Sequence, residues 1–292
     1  MVQRDMERLH GAGDGSPGIR RRYLIVGPTR SGTTALHLLL AGHPHISVFT
    51  GELQFSRLAA GLHQFSVRGY VSDEEERRGR LALFDAVTGS SKTAQTRVLG
   101  AKTTFNAPQA TARCAQTLRE HFPDISIVVP VRRDMVAHYG SRARLRTTGI
   151  AHSWNQRDAS GDQEMVSIDR WLLANSVLIN LENYRALRRM SQFTDYIEVD
   201  YESFAEDNEK TYRRLLQFLD LDYVAPDWLR ARRLHPKPES YIAGYAAHVS
   251  YVERLKSAYA EDRLSPSYVT AIRIYAKIKR RIRTWHREES GM

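Results

Sequence analysis

Residues 27–34 read Gly-Pro-Thr-Arg-Ser-Gly-Thr-Thr and indicate the fold of this chain more directly than any other stretch. They follow the apolar run 23–26 and precede the helical pattern 35–40. A buried strand, a glycine-containing loop and a helix start together form a cradle for an anion, because the loop amides and the positive end of the helix dipole point at one spot. The stretch therefore predicts an α/β fold with a phosphate site at its first turn.

The cation of this loop distinguishes it from the phosphate loop of nucleoside triphosphatases. The spacing from Gly27 to Gly32 matches that loop, but the lysine that should follow the second glycine is replaced by Thr33. The cation lies instead within the loop, at Arg30. We therefore expect the loop to hold a phosphate, but not the γ-phosphate of a nucleoside triphosphate.

The composition is that of an ordinary globular protein with a basic bias. The chain has 292 residues and a formal net charge of +10, which suits an anionic ligand or partner and equally suits a solvated basic surface. Its single cysteine, Cys114, favours a reducing, cytoplasmic location. Residues 1–20 are expected to form a disordered tail without the apolar centre of a signal peptide, and no apolar run approaches the roughly 20 residues of a membrane span.

Strand and helix patterns alternate along most of the chain. Short apolar runs predict strands at 23–27, 46–49, 98–101, 125–131 and 196–199. Helical patterns cover 33–42, 107–121, 134–145, 167–190 and 203–219, while the polar segment 57–91 is expected to be helix and loop and the segment 147–163 a loop. This alternation predicts one domain, residues 21–292, in which a central, doubly wound parallel sheet is flanked by helices and binds its ligand at the carboxyl ends of the strands. The most apolar run, 125–131, is expected at the centre of that sheet.

A second anion site is indicated by the residues that follow the fourth strand. Arg132 and Arg133 end that strand, and Ser141 lies about two helical turns beyond Arg133. A guanidinium and a hydroxyl in this arrangement can both hydrogen-bond one further phosphate. In isolation, surface arginines at a helix start would explain the pattern better. Beside the first loop, two separate phosphate sites in one sheet become the favoured interpretation.

These residues carry a resemblance to a known family. Residues 28–34 resemble the 5′-phosphosulfate loop of the sulfotransferases that use 3′-phosphoadenylyl sulfate, which typically reads Pro-x-Arg/Lys-Ser/Thr-Gly-Thr-Thr. Arg133 and Ser141 match the family's 3′-phosphate motif, although Met135 stands where the family usually has proline. The resemblance covers about residues 23–221. It implies that the donor, and its product adenosine 3′,5′-bisphosphate, are bound by Arg30, Ser31, Gly32, Thr33, Thr34, Arg133 and Ser141.

Two further segments resemble the family's catalytic residues. His43-Pro44 followed by Gly51-Glu52 is similar to the glycan and tyrosylprotein branches, in which a glutamate shortly after the first helix is the catalytic base. The stretch 102–104, Lys-Thr-Thr, is similar to Lys-Thr-Pro of the glycan enzymes and to Lys-Thr-His of the steroid and phenol enzymes, whose histidine is the base. Because Thr104 replaces that histidine, the resemblance implies Glu52 as the base. Without the resemblance, an ordinary surface carboxylate would be favoured for Glu52.

The remaining catalytic roles follow from the chemistry of the donor. Arg30 and Lys102 are expected to neutralise charge on the sulfonate and on the bridging oxygen. The donor already carries a good leaving group, so no metal is required, and the histidines and the cysteine form no metal-ligand pattern.

The sequence therefore predicts an enzyme that transfers a sulfuryl group from 3′-phosphoadenylyl sulfate to an acceptor hydroxyl. By branch resemblance, the acceptor is a carbohydrate, a glycolipid or a glycosylated metabolite. A nucleotide kinase or triphosphatase with an altered loop is one alternative, opposed by the missing loop lysine and by the Arg133/Ser141 pair. A non-catalytic module that binds RNA or another anionic polymer is the other. The net charge suggests it, but no nucleic-acid recognition motif supports it, so nucleic acid is not expected as a partner.

The basic C-terminal segment 265–286 has two interpretations. Apolar residues alternate there with lysines and arginines, so one stripe should pack on the domain while the basic face stays in water. The alternative is an interfacial helix that makes peripheral contact with a membrane.

Three histidines receive no direct role. His37 is expected to pack in the core, His138 to act through its neighbours at most, and His152 to lie in a solvated loop. His152 is nevertheless the next candidate for the base after Glu52.

Overall fold

The computed structural model describes residues 18–53, 73–88, 92–148, 165–226 and 237–289. Within these ranges the strands are β1 (Arg21–Pro28), β2 (Ile46–Val48), β3 (Val98–Phe105), β4 (Ile125–Val131) and β5 (Tyr196–Asp200). The α-helices are α1 (Thr33–Ala41), α2 (Asp73–Thr88), α3 (Pro108–His121), α4 (Met135–Thr148), α5 (Arg170–Arg188), α6 (Tyr201–Glu206), α7 (Asn208–Phe218), α8 (Tyr245–Ala260) and α9 (Pro266–Glu289). Short 3₁₀ helices cover Arg189–Gln192 and Pro238–Ser240.

The described strands form one parallel sheet in the order β2-β3-β1-β4-β5. The predicted α/β class and the parallel sheet flanked by helices are therefore confirmed. The expectation that residues 125–131 form the central strand was wrong, since β1 is in the middle and β4 lies beside it. Six of the seven residues of β4 are buried, but so are the last six residues of β1. An apolar run indicates that both faces of a strand are covered, but it does not indicate the position of the strand in the sheet.

Alternation along β1 distributes its side chains between the two faces of the sheet. Tyr23 and Ile25 join the hydrophobic cluster to which α1 contributes Leu36, Leu39 and Leu40 and α7 contributes Tyr212, Leu215 and Leu216. Leu24 and Val26 are equally buried and point to the opposite face. Helices α1 and α7 thus pack on the face of the sheet that carries Tyr23 and Ile25.

One glycine of β3 is required by this packing. Tyr23 pairs with Gly100 across β1 and β3, and a Cβ atom at Gly100 would lie 2.0 Å from Cζ of the tyrosine. The fully buried ring therefore occupies the space that any other side chain at position 100 would need.

Contacts divide the chain into two compact units. The first comprises residues 1–131 and 183–231 and contains the sheet; the second comprises residues 132–182 and 232–292 and contains α4, α8 and α9. Helix α5 begins in the second unit and ends in the first. The assignment of residues 21–292 to one domain stays a prediction.

Some predicted boundaries needed correction. The helix predicted over 203–219 is two helices, because the Asp207 carboxylate accepts a hydrogen bond of 2.8 Å from the Lys210 amide and so starts α7. Asp200 starts α6 in the same way, accepting from the Ser203 amide at 2.9 Å. Helix α4 continues to residue 148, beyond the predicted end at 145. The predictions for residues 1–17, for the loop 149–163 with His152, and for parts of 57–91 lie outside the described residues.

Two of the arginines that contribute to the positive net charge form ion pairs within the first unit. Arg22 donates two hydrogen bonds to the Asp85 carboxylate, at 2.6 and 2.8 Å, and thereby ties β1 to α2. Arg21 pairs with Asp195 at 3.0 Å. These two arginines of the run 20–22 are therefore engaged in ion pairs within the first unit.

Candidate active site

The loop after β1 is a tight turn with two residues in the left-handed region. The Ser31 amide and hydroxyl both donate to the Pro28 carbonyl oxygen, at 3.2 and 2.7 Å, and the serine is fully buried. The backbone φ is 70° at Arg30 and 104° at Gly32. Glycine adopts such angles without penalty, but arginine does so at a cost. Strain of this kind is typical of residues whose side chains are positioned for function.

The start of α1 is open to an anion. No side chain caps this helix, and its first turn contains no acidic residue. The first hydrogen bond of the helix is donated by the Leu36 amide to the Gly32 carbonyl, at 3.0 Å. The earlier amides, including those of Thr33 and Thr34, therefore have no intrahelical partner. Uncapped amides at the positive end of the helix dipole favour a phosphate or sulfate group.

Gly32 is also required by its neighbour Tyr201. A Cβ atom at position 32 would lie 2.5 Å from Cδ2 of that ring. Tyr201 begins α6, directly after β5, and thus supports the loop from the sheet's carboxyl edge. Tyr201 was not predicted, because nothing in the spacing of the loop points to a partner about 170 positions away.

The other end of the loop is tied to β3. The Thr29 hydroxyl donates to the Asn106 side-chain oxygen at 2.5 Å, and Pro28 pairs with Phe105 in the sheet. The loop is consequently fixed at the carboxyl end of β3 as well as at its own strand.

Glu52 is carried by a segment that continues alongside β3 beyond the end of β2. The Phe49 amide donates to the Gly100 carbonyl and the Leu53 amide to the Lys102 carbonyl, both at 2.8 Å. The Thr103 hydroxyl adds a bond of 3.1 Å to the Leu53 carbonyl. Backbone contacts on both sides of Glu52 thus hold it against the strand that carries Lys102.

Thr104 links Glu52 to the loop. The threonine hydroxyl donates a hydrogen bond to Oε1 of Glu52, and Thr104 is the pairing partner of Gly27 across β3 and β1. Glu52 is exposed. The carboxylate, the threonine and the first glycine of the loop therefore lie at the same edge of the sheet. The sequence had marked Thr104 as the replacement of a histidine, but not as a hydrogen-bond donor to the candidate base.

Lys102 lies on the face of the sheet that α1 covers. It pairs with Ile25, whose side chain is in the core cluster that α1 joins. Because Lys102 and Thr104 are two residues apart on β3, their side chains point to the same face of the sheet. Its charge also acts on His37 of α1. Of the predicted site residues, the first unit thus brings together the loop 27–34, Lys102 and Glu52.

His37 is the core histidine that the sequence analysis expected. It is 2% exposed, and Nε2–H donates to the Phe49 carbonyl at 2.8 Å. Burial lowers the pKa of His37 to about 4, against the opposing effect of the Phe49 hydrogen bond and with a further lowering by Lys102. The neutral ring therefore fastens α1 to the start of the segment that carries Glu52.

Replacement of His37 by glutamine is expected to reduce the amount of folding stability that the protein loses as the pH falls from neutral to acidic values. The folded-state pKa lies below the ordinary value of 6.5, so the unfolded chain binds the proton more readily and stability is lost as the pH falls from about 6.5 towards 4. The loss from this one group is roughly 3 kcal/mol. Urea unfolding of both proteins at pH 7 and pH 4.5 measures it. Equal losses in the wild type and in His37→Gln would show that other groups cause the acid sensitivity.

Arg133 and Ser141 belong to the second unit. Arg133 is exposed just before α4, and Ser141 is half-buried within that helix. Asp134 caps the helix by accepting from the Ala137 amide at 2.8 Å, and its other oxygen accepts from the Tyr245 hydroxyl at 2.5 Å. This cap starts α4 without the proline that the resemblance led us to expect at Met135.

His138 is buried behind this helix turn. Its Nδ1 lies 2.8 Å from Nδ2 of Asn180, a contact between α4 and α5 within the second unit. It was expected to act through its neighbours at most, and that expectation stays a prediction.

Neither a membrane-spanning helix nor a metal-ligand cluster is present in the described ranges. No helix there is long and apolar enough to cross a bilayer. No group of three or more His, Cys, Asp or Glu side chains in the same ranges could hold a metal ion.

Comparison with known proteins gives one match to a family. A sequence model of the sulfotransferase family matches residues 23–225, which is more than half of the chain. A search of curated proteins gives no match. This chain belongs to the sulfotransferase family and is an enzyme.

Several solved structures are similar to the chain. A sulfotransferase from Alicyclobacillus acidocaldarius is 18% identical over 81% of this chain and 95% of that one, with a TM-score of 0.43. The sulfotransferase domain of the Synechococcus PCC 7002 olefin synthase is 16% identical over 82% and 96%, with a TM-score of 0.45. A Mycobacterium avium sulfotransferase is 14% identical over 89% and 80%, also with a TM-score of 0.45.

Proposed function

We propose that this sulfotransferase uses 3′-phosphoadenylyl sulfate as its donor and a hydroxyl group of a small molecule as its acceptor. The observation that carries the proposal is the loop 27–34, which precedes an uncapped helix, contains Arg30 in a left-handed conformation and lies beside the exposed Glu52. We infer a carbohydrate, a glycolipid or a glycosylated metabolite as the acceptor, from the resemblance of Glu52 and Lys102 to the glycan branch.

We assign the donor's two phosphates to separate sets of residues. We assign the 5′-phosphosulfate group to residues 30–34, because the start of α1 has neither a side-chain cap nor an acidic residue. The Arg30 guanidinium and the amides of residues 32–34 would donate to it, whereas the Ser31 amide and hydroxyl already donate to the Pro28 carbonyl. We assign the 3′-phosphate to Arg133 and Ser141, as the family motif implies. A guanidinium and a hydroxyl can together bind a dianion.

The chemistry assigned to the protein is positioning and electrostatic stabilisation. Sulfuryl transfer resembles phosphoryl transfer in that charge spreads over peripheral oxygens and the attacking and leaving oxygens are in line. Arg30 and Lys102 would stabilise charge on the sulfonate and on the bridging oxygen, and we infer no requirement for a metal.

Glu52 would take the proton from the acceptor hydroxyl. Thr104 donates to Oε1 of Glu52, while Oε2 accepts no hydrogen bond from any residue that the structure describes. One carboxylate oxygen is thereby oriented and the other is left for the substrate. A base in this position commonly contributes a factor of about 10²–10⁴.

The donor is tested by ligand-induced thermal stabilisation. Adenosine 3′,5′-bisphosphate should raise the melting temperature, whereas ATP, GTP and RNA at equal concentration should raise it much less, since a ligand of the folded state stabilises according to its affinity. Stabilisation by ATP or GTP instead would favour the kinase or triphosphatase alternative, and stabilisation by RNA the binding module. Turnover of the donor against sugars, glycolipids and phenols then identifies the acceptor class.

Replacement of Arg133 by alanine should separate the two phosphate sites. Loss of one charged hydrogen bond should weaken adenosine 3′,5′-bisphosphate by about tenfold to a hundredfold and leave 5′-AMP almost unaffected. Calorimetric titration of both nucleotides measures this, with Arg119→Ala as an exposed-arginine control on α3. If 5′-AMP binds the wild type as tightly as the bisphosphate, the assignment of the 3′-phosphate to Arg133 and Ser141 is wrong.

Two further proposals concern location and partners. We propose a cytoplasmic location, because the single cysteine, Cys114, leaves the chain without an internal disulfide. We also propose peripheral contact of helix α9, in the second unit, with a lipid surface. The residues that support this contact belong to α9 itself.

A further inference from the structure

Helix α9 has an apolar stripe that no described residue covers. Ile274, Ile278 and Ile282 are 54%, 52% and 44% exposed, and their spacing of four places them along one line of the helix. Ile272 and Ala276 of the same helix are buried. The helix is therefore apolar on two sides, and packing within the chain accounts for one of them. We refer to Ile274, Ile278 and Ile282 as the isoleucine face.

The packed side of α9 contacts helix α5 and the residue Asp169, which directly precedes α5. The Trp171 ring lies 6.1 Å from that of Tyr268 and 5.7 Å from that of Tyr275. The Tyr275 hydroxyl donates to Asp169 at 2.7 Å. On the far side Arg273 pairs with Glu182 at 2.5 Å. These contacts determine the rotation of α9 about its axis and leave the isoleucine face directed to solvent.

Cations border this face. With about 100° between successive residues, Arg281 and Lys277 lie about 60° and 100° round the helix from Ile278, on the side away from the packed tyrosines. Both are exposed, and neither pairs with a carboxylate among the described residues. Lys279 borders the packed side, where it lies 5.6 Å from the Tyr275 ring and acts on the nearby Asp169. Arg280, on the basic side, donates to the Ala276 carbonyl at 3.2 Å.

We propose that the isoleucine face of α9 lies on an anionic lipid surface, with Lys277 and Arg281 against the headgroups. A row of half-exposed isoleucines bordered by exposed cations matches an interface that is apolar at one depth and negative at the next. The charge pattern disfavours a second copy of this chain as the occupant, because two such faces would bring like charges together. Nucleic acid would satisfy the cations but would not bury the isoleucines. The proposal does not depend on the donor or acceptor inferred above.

Binding to vesicles tests the proposal with the full chain. Vesicles of phosphatidylcholine with about one third phosphatidylglycerol should retain the protein in a flotation assay, and pure phosphatidylcholine should retain far less. Since each basic residue near such a surface contributes about a fivefold increase in binding, partition should fall steeply between 50 mM and 500 mM salt (about 500 mM reduces the screening length to a few ångströms).

Two variants separate the apolar contribution from the charge contribution. Replacement of Ile274, Ile278 and Ile282 by glutamine preserves helix propensity and should reduce partition at least tenfold. Lys277→Glu/Arg281→Glu should reduce it by about 25-fold or more and remove the preference for anionic lipid. The control is Lys210→Glu/Arg214→Glu on α7, two exposed residues with the same spacing, which should bind as the wild type does. Circular dichroism of each variant verifies that the chain is folded.

Each other outcome would overturn the proposal. Equal retention by neutral and anionic vesicles, or none by either, excludes an anionic lipid surface as the occupant. An equal loss of vesicle binding in the α7 control would show that binding depends only on the net charge of the protein and not on α9. A dimer in light scattering that the glutamine variant abolishes would assign the face to a second copy. Retention on RNA that the glutamine variant keeps would assign the cations to nucleic acid.

Discussion

Glu52→Gln is expected to lower turnover by roughly two orders of magnitude or more while donor affinity stays within about twofold of the wild type. The substitution keeps the size of the side chain and its ability to accept from Thr104, but it removes the basicity that an acceptor hydroxyl would need. Donor affinity should persist because Glu52 is assigned to neither phosphate. Turnover with saturating acceptor, and calorimetric titration of adenosine 3′,5′-bisphosphate, measure the two quantities.

Comparison variants define what this result means. Glu206→Gln changes an exposed carboxylate at the end of α6 and should leave turnover unaltered. Lys102→Ala should also lower turnover, but through lost charge stabilisation, so the pH dependence that a base imposes should survive in it. Near-normal turnover of Glu52→Gln on the true acceptor would place the base elsewhere, and His152 would then be tested next.

Gly32→Ala is expected to destabilise the protein by about 2–4 kcal/mol and to weaken adenosine 3′,5′-bisphosphate at least tenfold. One part of the cost is the backbone φ of 104°, which an L side chain rarely adopts. The other part is the collision of the new Cβ with the Tyr201 ring, 2.5 Å away. Either the ring or the loop must move, and movement of the loop displaces the amides at the start of α1. Urea unfolding and calorimetric titration give the two effects.

A matched glycine and a double variant separate strain from collision. Gly18 has a φ of 98° and nothing within 4 Å of where its Cβ would be, so Gly18→Ala should cost no more than about 1–2 kcal/mol. In a Tyr201→Ala background the collision is absent, and Gly32→Ala should cost less there than in the wild type. Equal costs in both backgrounds would show that the ring yields freely and that the backbone angle alone requires glycine.

Much of the fold was predictable because its signals are local. Each predicted strand exists, since short apolar runs between turn residues form strands in any α/β sheet. The order of the strands was not predictable in the same way. Strand β4 is the more apolar of the two, yet β1 and β4 each bury six residues, and only pairing partners distant in the sequence determine which is central. The break at Asp207 was missed because a continuous apolar pattern spans two capped helices.

The site was predictable where its residues are neighbours in sequence. The loop 27–34 and the start of α1 have the predicted local structure, because strand, glycine and helix signals occur within a dozen residues. The contacts of Glu52 with Thr104, and of Gly32 with Tyr201, depend on the register of β1 against β3 and on the path after β5. A sequence without an alignment carries no record of such distant pairs. The roles of Glu52, Lys102 and Arg133 remain predictions for the experiments above.

The open start of α1 makes the helix itself respond to occupancy. Without a capping side chain, the first turn should fray readily in the empty enzyme, and a bound phosphate would supply the missing cap. Ligand binding and completion of the helix would then be one event. The rigidity of the loop would follow the concentration of nucleotide around the protein, and amide hydrogens of residues 33–36 would exchange with solvent at a rate that reports how much of the enzyme is loaded.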